Sequence, residues 1–279
     1  MSKTHSYLQQ YHTGYDWERK NPYVLNDFFS IIDEFVENSF YGNTHPLAKK
    51  LLAGEFSREE LIFLATQEYY YYWGTTWWNA FKIGNADILD HQRQLHDPLL
   101  DELGTDLLDK NGLPAHSVLF LQYCEGIGLT LDEIKRSPIS SGVSLAITEL
   151  LRIAKTRPNF EFIACSNLVV EKMRPVFYSK LLQTFSDHYQ WVPKKSLLFY
   201  EVHAHLDVHH TSIGKKVVSE YVFDNKRDQD SVFSAVIRST ALRKVMYDSI
   251  YQAMLTPGLE YGFIPWPNFP LEPWPRPSK

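Results

Sequence analysis

Cysteine is nearly absent from this chain. Cys124 and Cys165 are the only two in 279 residues; they build no disulfide framework and form no CxxC pair. A basic excess is also lacking. The 28 Lys and Arg are outnumbered by 33 Asp and Glu, for a formal charge of −5, which argues against a nucleic-acid-binding surface. No apolar run approaches the roughly 18 residues of a membrane span, and the polar residues 1–20 lack the apolar core of a secretory signal. The expectation is a cytoplasmic protein with no membrane and no nucleic acid among its partners. Period-two alternation and hairpin dipeptides are missing too, so strands are not expected. Disorder is excluded for most of the chain by a hydrophobic content of 44%, including 17 Phe, 17 Tyr and 7 Trp.

Apolar spacing is helical almost throughout. Within 24–40, Leu25, Phe28, Phe29, Ile32, Phe35 and Val36 recur at steps of three and four. Ser57 with Glu60 reads as a capping box opening a helix to about Phe81, and Thr130 with Glu133 as a second one. A helix over 88–103 should stop at Gly104, and one over 114–125 should follow the Asn111-Gly112-Leu113-Pro114 break. The segment 138–142 is another break. Further helices are expected over 142–155, 160–185, 195–222 and 231–255, with Pro175 kinking or dividing the second. The last 23 residues hold 7 of the 15 prolines. They are expected to be extended and laid on the surface by Trp266, Phe269 and Trp274. The reading is all-α, with one helical bundle over 1–255 and a Pro-rich tail over 256–279.

The stretch 199–210, Phe-Tyr-Glu-Val-His-Ala-His-Leu-Asp-Val-His-His, carries the most chemical information. At about 100° per residue, His203, Asp207 and His210 share an arc of roughly 60°, while His205 and His209 fall on the other side. Two imidazoles and a carboxylate on one stripe suit a divalent transition metal, iron in particular when other helices add carboxylates. The alternatives are a polar surface helix, or a metal pair made by His205 and His209 at i, i+4. Glu68, Glu102 and Glu171 each lie in or beside apolar runs, where a carboxylate is either solvated or buried with a partner.

These residues resemble the haem-oxygenase-like diiron oxidases and oxygenases. The resemblance rests on His203-x3-Asp207-x2-His210 preceded by Glu171, on Asp101-Glu102-Leu103-Gly104 followed by His116-Ser-Val-Leu-Phe, and on the turn Gly126-Ile127-Gly128-Leu129. It covers about 60–215. It implies a haem-oxygenase-like bundle of about seven to nine helices. The implied ligands of two iron ions are Glu102, His116, Glu171, His203, Asp207 and His210, with dioxygen as co-substrate. Glu68 would be the extra carboxylate on the first helix of the site. The family's interval between the Glu102 and His116 positions is usually shorter, so His91 or His96 could replace His116.

By the same resemblance the activity would be oxidation of an amino-acid-derived or fatty-acid-like small carboxylate, by desaturation, C–C cleavage or N-oxygenation. An external electron donor and a homodimer are compatible with it. Tyr72 and Trp73, in the aromatic block after Glu68, are candidates for a substrate wall; Arg152, Lys155, Lys172 and Arg174 are candidate carboxylate anchors. Two other readings stand beside this one. The first is a metal-independent enzyme of the TENA or pyrroloquinoline-quinone-synthase type, although Cys124 and Cys165 sit in apolar helices that suit inert packing. The second is a scaffold protein bound through its Pro-rich tail.

Overall fold

A computed structural model describes residues 14–106 and 112–256, together with the backbone of 263–264. The fold is all-α. Helices run over Leu25–Ser39 (α1), Tyr41–Thr44 (α2), Pro46–Leu52 (α3), Arg58–Gly84 (α4), Leu89–Leu103 (α5), His116–Gly126 (α6) and Leu131–Arg136 (α7). After strand β1, Ile139–Ser140, come Ser141–Thr156 (α8), Asn159–Cys165 (α9), Lys172–His188 (α10), Leu198–Val222 (α11) and Lys226–Leu255 (α12). Eight of these exceed ten residues among the described residues, and the short ones are turns between them.

Both capping boxes form. Ser57 accepts from the Glu60 amide while Glu60 accepts from the Ser57 amide, and Thr130 and Glu133 do the same. The stripe of α1 buries Phe28, Ile32 and Val36. Helix α4 is buried along most of its length and runs through the core, contacting α5, α6 and α8. Helices α10 and α11 pack along each other, as do α8 and α12.

Two expectations are corrected. The helix over 160–185 is divided before Pro175 rather than at it: a π-helical segment, Ser166–Glu171, joins α9 to α10, and Pro175 lies inside α10. The proline ring would clash with the carbonyl four residues back, that of Glu171, and the wider π turn ending there absorbs the misfit. Strands are not wholly absent either. β1 pairs antiparallel with Phe263–Ile264 (β2), each too short for alternation to show. Gln67 fixes this break from α4, donating to the Pro138 carbonyl at 3.0 Å and accepting from the Ser140 amide at 2.8 Å. The tail calls on Trp266, Phe269 and Trp274 lie outside the described residues. Among the described residues, no helix is long and apolar enough to cross a membrane.

Candidate metal centre

The long interval between Glu102 and His116 is closed locally. Gly104 ends α5 at φ +85 and bridges to Pro114, and the Thr105 amide donates to the Leu113 carbonyl at 2.8 Å. A Cβ at Gly104 would stand 2.4 Å from the Ala115 nitrogen, so the backbones approach as only glycine allows. The chain thus returns beside its starting point and opens α6 with His116. Glu102 Oε2 lies 3.4 Å from His116 Nδ1. Helix α11 supplies His203, whose ring centroid is 4.3 Å from that of His116. One ligand-type atom from each of Glu102, His116 and His203 lies within 4.8 Å of the others, and all three residues are buried.

The protonation states suit a cation. His203 Nδ1–H donates to the Phe199 carbonyl at 2.8 Å, which leaves the Nε2 lone pair free. Burial holds this ring well below the usual histidine range, and the His116 and Arg174 charges push the same way, so it is neutral. Burial alone would raise the Glu102 carboxyl. The adjacent His116 ring, Arg174 and Thr75 outweigh it and hold the carboxyl down at about 2. The Thr75 hydroxyl lies 2.7 Å from Glu102 Oε2 and 2.6 Å from the Tyr72 carbonyl, and its one proton serves both acceptors.

Glu171, Asp207 and His210 form a second group from the π segment and α11. Glu171 accepts from Asn167 Nδ2 at 2.6 Å and lies 3.8 Å from the ammonium of Lys82 on α4. Lys82 is fully buried and also donates to Ser166 and Asn167. Asp207 Oδ2 is 3.6 Å from Arg174 Nη1, and Asp207 Oδ1 is 3.5 Å from His210 Nδ1. His210 Nε2 contacts Asp101 at 3.0 Å. Burial would lower this imidazole, but Asp101 and Asp207 prevail and raise it to about 10. Each carboxylate of this group therefore faces a side-chain cation, and its ligand atoms converge less closely than those of the first group.

By residue type the donor set fits iron, with two imidazoles and a carboxylate in one group and two carboxylates and an imidazole in the other; an imidazole that carries a second proton in the metal-free protein would release it on binding. His116 Nδ1 and Asp207 Oδ2 are buried without a hydrogen-bond partner among the described residues, the condition a bound cation would relieve. His205 and His209 are exposed, on the face opposite His203, Asp207 and His210. His91 is committed elsewhere, to Glu220 at 2.7 Å, and His96 is exposed.

Glu68 is buried and accepts from the Tyr247 hydroxyl at 2.7 Å. Burial raises its carboxyl, while Tyr247, Arg243 and Arg174 oppose that rise. Tyr72 packs on Phe120 and Phe199 and shares a 2.6 Å hydrogen bond with Tyr178. Trp73 is half-buried beside Trp77. The recess next to Glu102 is lined from α4 by Tyr71, Thr75, Trp78 and Asn79 instead. Of the candidate anchors, Arg152 pairs with Glu149, Lys155 lies over Phe81 and Lys172 pairs with Asp33; only Arg174 is buried in the core. Sequence reasoning missed Thr75, Lys82, Asn167 and Arg243. A signal for two of them was present: Glu68, Thr75, Asn79 and Lys82 recur at steps of seven, four and three, a polar stripe in an aromatic helix.

Comparison with known proteins agrees with this geometry. The family described as iron-containing redox enzyme matches residues 62–244, and the chain belongs to that family. Comparison with curated proteins gives no match. Among solved structures, a domain of unknown function with a haem oxygenase-like fold from Shewanella denitrificans superposes with a TM-score of 0.66 at 16% identity, covering 84% of this chain and 96% of that one. A TenA homologue from Pseudomonas syringae gives 0.65 at 13% identity, over 82% and 91% of the two chains. A CADD-like protein of unknown function from Nostoc punctiforme gives 0.64 at 13%, over 83% and 99%. At such identities these likenesses establish the haem-oxygenase-like fold alone.

Proposed function

We propose that this protein is an oxygen-dependent non-haem diiron oxidase acting on a small carboxylate. In this reading Glu102, His116 and His203 hold one iron and Glu171, Asp207 and His210 the other. The observation that carries it is the buried convergence of Glu102, His116 and His203 from three separate helices, in a chain of the iron-containing redox family. Bound iron supplies the electron transfer to dioxygen that protein side chains do not provide.

The remaining tasks fall to this chain's own groups. The Phe199 carbonyl fixes the His203 tautomer, and Thr75 fixes the Glu102 carboxylate. Asn167 holds Glu171 and the His210 carbonyl together, tying the π segment to α11. Rings of Tyr72, Phe120 and Phe199 pack in contact beside His116 and His203 and keep water from that side. Glu68, whose buried carboxyl holds its proton to higher pH than usual, is assigned the acid–base role, with Tyr247 as its hydrogen-bond partner. An external electron donor closes the cycle where the substrate does not supply all the electrons.

Metal-independent nucleophilic chemistry finds no support in the thiols. Cys124 and Cys165 are both fully buried, and burial pushes Cys165 up to about 12 and Cys124 higher still. The test is oxygen uptake by Fe(II)-loaded protein across a panel of amino acids and fatty acids. The expected result is uptake that one substrate class stimulates and that Glu102→Ala abolishes. Uptake unchanged in Glu102→Ala would sink the reading.

A further inference from the structure

Arg243, on α12, is 7% exposed and Arg174, on α10, is 6% exposed. A guanidinium does not deprotonate in a protein, so both are buried cations. Arg174 has Asp207 for a counter-charge. Arg243 has no carboxylate within ion-pair distance among the described residues; its cation lies over the rings of Tyr71, Tyr247 and Tyr41, at 4.4, 5.3 and 5.6 Å. Its one side-chain polar contact among the described residues is a 3.5 Å approach of Nη2 to the Tyr247 hydroxyl. Arg243 Nη1 and Arg174 Nε are buried with no hydrogen-bond partner among the described residues. Tyrosine faces stabilise a cation, but they leave planar N–H donors unsatisfied, and those donors match a carboxylate.

Both arginines line one recess, between Val36 and Tyr41 on one side and Val170 and Phe177 on the other. Its free volume is about 20 Å³, room for one water-sized group, so a carboxylate head seats there only as the lining side chains give way. Val170 and Arg174 also line the neighbouring recess, which holds Glu102 and Glu171, carries the polar Thr75, Asn79 and Ser166, and has its apolar part in Tyr71, Trp78, Leu150 and Phe162. Val170 and Arg174 are thus common to both recesses, and an anion seated on the arginines would have the apolar groups Tyr71, Trp78, Leu150 and Phe162 beyond them, in the recess of Glu102 and Glu171.

We propose that Arg243 and Arg174 form the subsite that binds the carboxylate of an apolar or aromatic acid, its hydrocarbon part directed past Val170 toward Glu102. This names the substrate class of the oxidase proposed above and rests on that reading. The acid enters by parting the side chains between the two recesses.

The experiment is isothermal titration of the full-length protein, iron-loaded under anaerobic conditions and metal-free after chelation. The probes are octanoate and 3-phenylpropanoate, their neutral amides, and inorganic phosphate. Both acids should bind both forms, and the amides should bind about tenfold more weakly or worse, since charged hydrogen bonds are lost. Arg243→Met should weaken the acids by about tenfold or more, with Arg243→Lys between it and wild type because charge persists without the fork. Iron content should not change in either variant. Arg243→Met should also melt close to wild type, because the cation it removes makes no direct ion pair and the Glu68 carboxyl it helps to offset can take up a proton.

Equal binding of acid and amide, or wild-type affinity in Arg243→Met, would overturn the proposal. So would acid binding confined to the iron-loaded form, which would place the carboxylate on the metal. Phosphate binding tighter than either acid would make this an inorganic anion site. A clear fall in the melting temperature of Arg243→Met, with Arg243→Lys binding no better than Met, would make the arginine structural. Failure of the wild type to hold iron while the acids still bind would strike the oxidase reading and leave the subsite standing.

Discussion

Replacing Lys82 by Met tests whether Glu171 is a carboxylate kept for a cation. Lys82 is fully buried, donates to Ser166 and Asn167, and lies 3.8 Å from Glu171. Methionine keeps most of the volume and removes the charge. The metal-free variant then leaves Glu171 buried without its nearest cation, a change that typically costs about 3–5 kcal/mol. Glu171 has a way to limit that cost, by taking up a proton. Protonation costs about 1.4 kcal/mol per pH unit above its ordinary 4.5, hence about 3 kcal/mol at pH 7 and under about 1 kcal/mol at pH 5. Burial already weighs on the wild-type pair, lowering Lys82 and raising Glu171, so urea denaturation of metal-free protein should show Lys82→Met less stable by up to about 3 kcal/mol at pH 7, with the gap closing toward pH 5. Adding Fe(II) anaerobically should shrink the gap at pH 7, because the metal restores positive charge beside Glu171. A gap independent of pH, or one that iron leaves unchanged, would refute the reasoning.

Other perturbations probe the supports of the site. Thr75→Val removes the hydroxyl beside Glu102; it should cost about 1–2 kcal/mol and weaken iron binding by about tenfold or more, read by denaturation and by competition with a chelator. Gly104→Ala forces a Cβ onto a residue at φ +85 with backbone 2.4 Å away; a loss of about 1–3 kcal/mol should accompany weaker iron binding, because this turn brings His116 to Glu102. Glu68→Gln addresses pH. Burial raises the Glu68 carboxyl above its ordinary 4.5, so its ionisation costs the folded state stability as pH rises from 4.5 through the raised value, and costs nothing below 4.5. The melting temperature of Glu68→Gln relative to wild type should be flat below pH 4.5 and climb above it; a fall there would contradict the buried-acid assignment.

How far the sequence was legible depended on the range of the interaction. Local signals carried well. The capping boxes at Ser57 and Thr130, the stop at Gly104 and the stripe of α1 all act within a few turns, and each appears as expected. The stripe of His203, Asp207 and His210 was likewise visible because one helix carries it. The pairing of Glu102 with His116 was implied by the motif resemblance but not by spacing, since it depends on a backbone bridge at Gly104 that closes an atypically long interval. The kink or division of this helix was placed at Pro175 rather than at the π segment before it, because periodicity cannot register one extra residue in a turn. Lys82, Asn167 and Arg243 were overlooked for a different reason: each belongs to the site through partners on other helices, and a buried cation resembles a surface one in sequence. The family's iron chemistry is accordingly better marked in this sequence than the groups that tune it.

The central claim is that two groups of buried side chains hold iron, and anaerobic Fe(II) reconstitution followed by iron analysis tests it most directly. The wild type should retain close to two irons per chain. His203→Ala should lose the iron of the Glu102 group, and Asp207→Ala that of the Glu171 group. Mössbauer spectra should then show a single high-spin ferrous site in each variant. A wild type that retains no iron, or variants that load iron as the wild type does, would contradict the account.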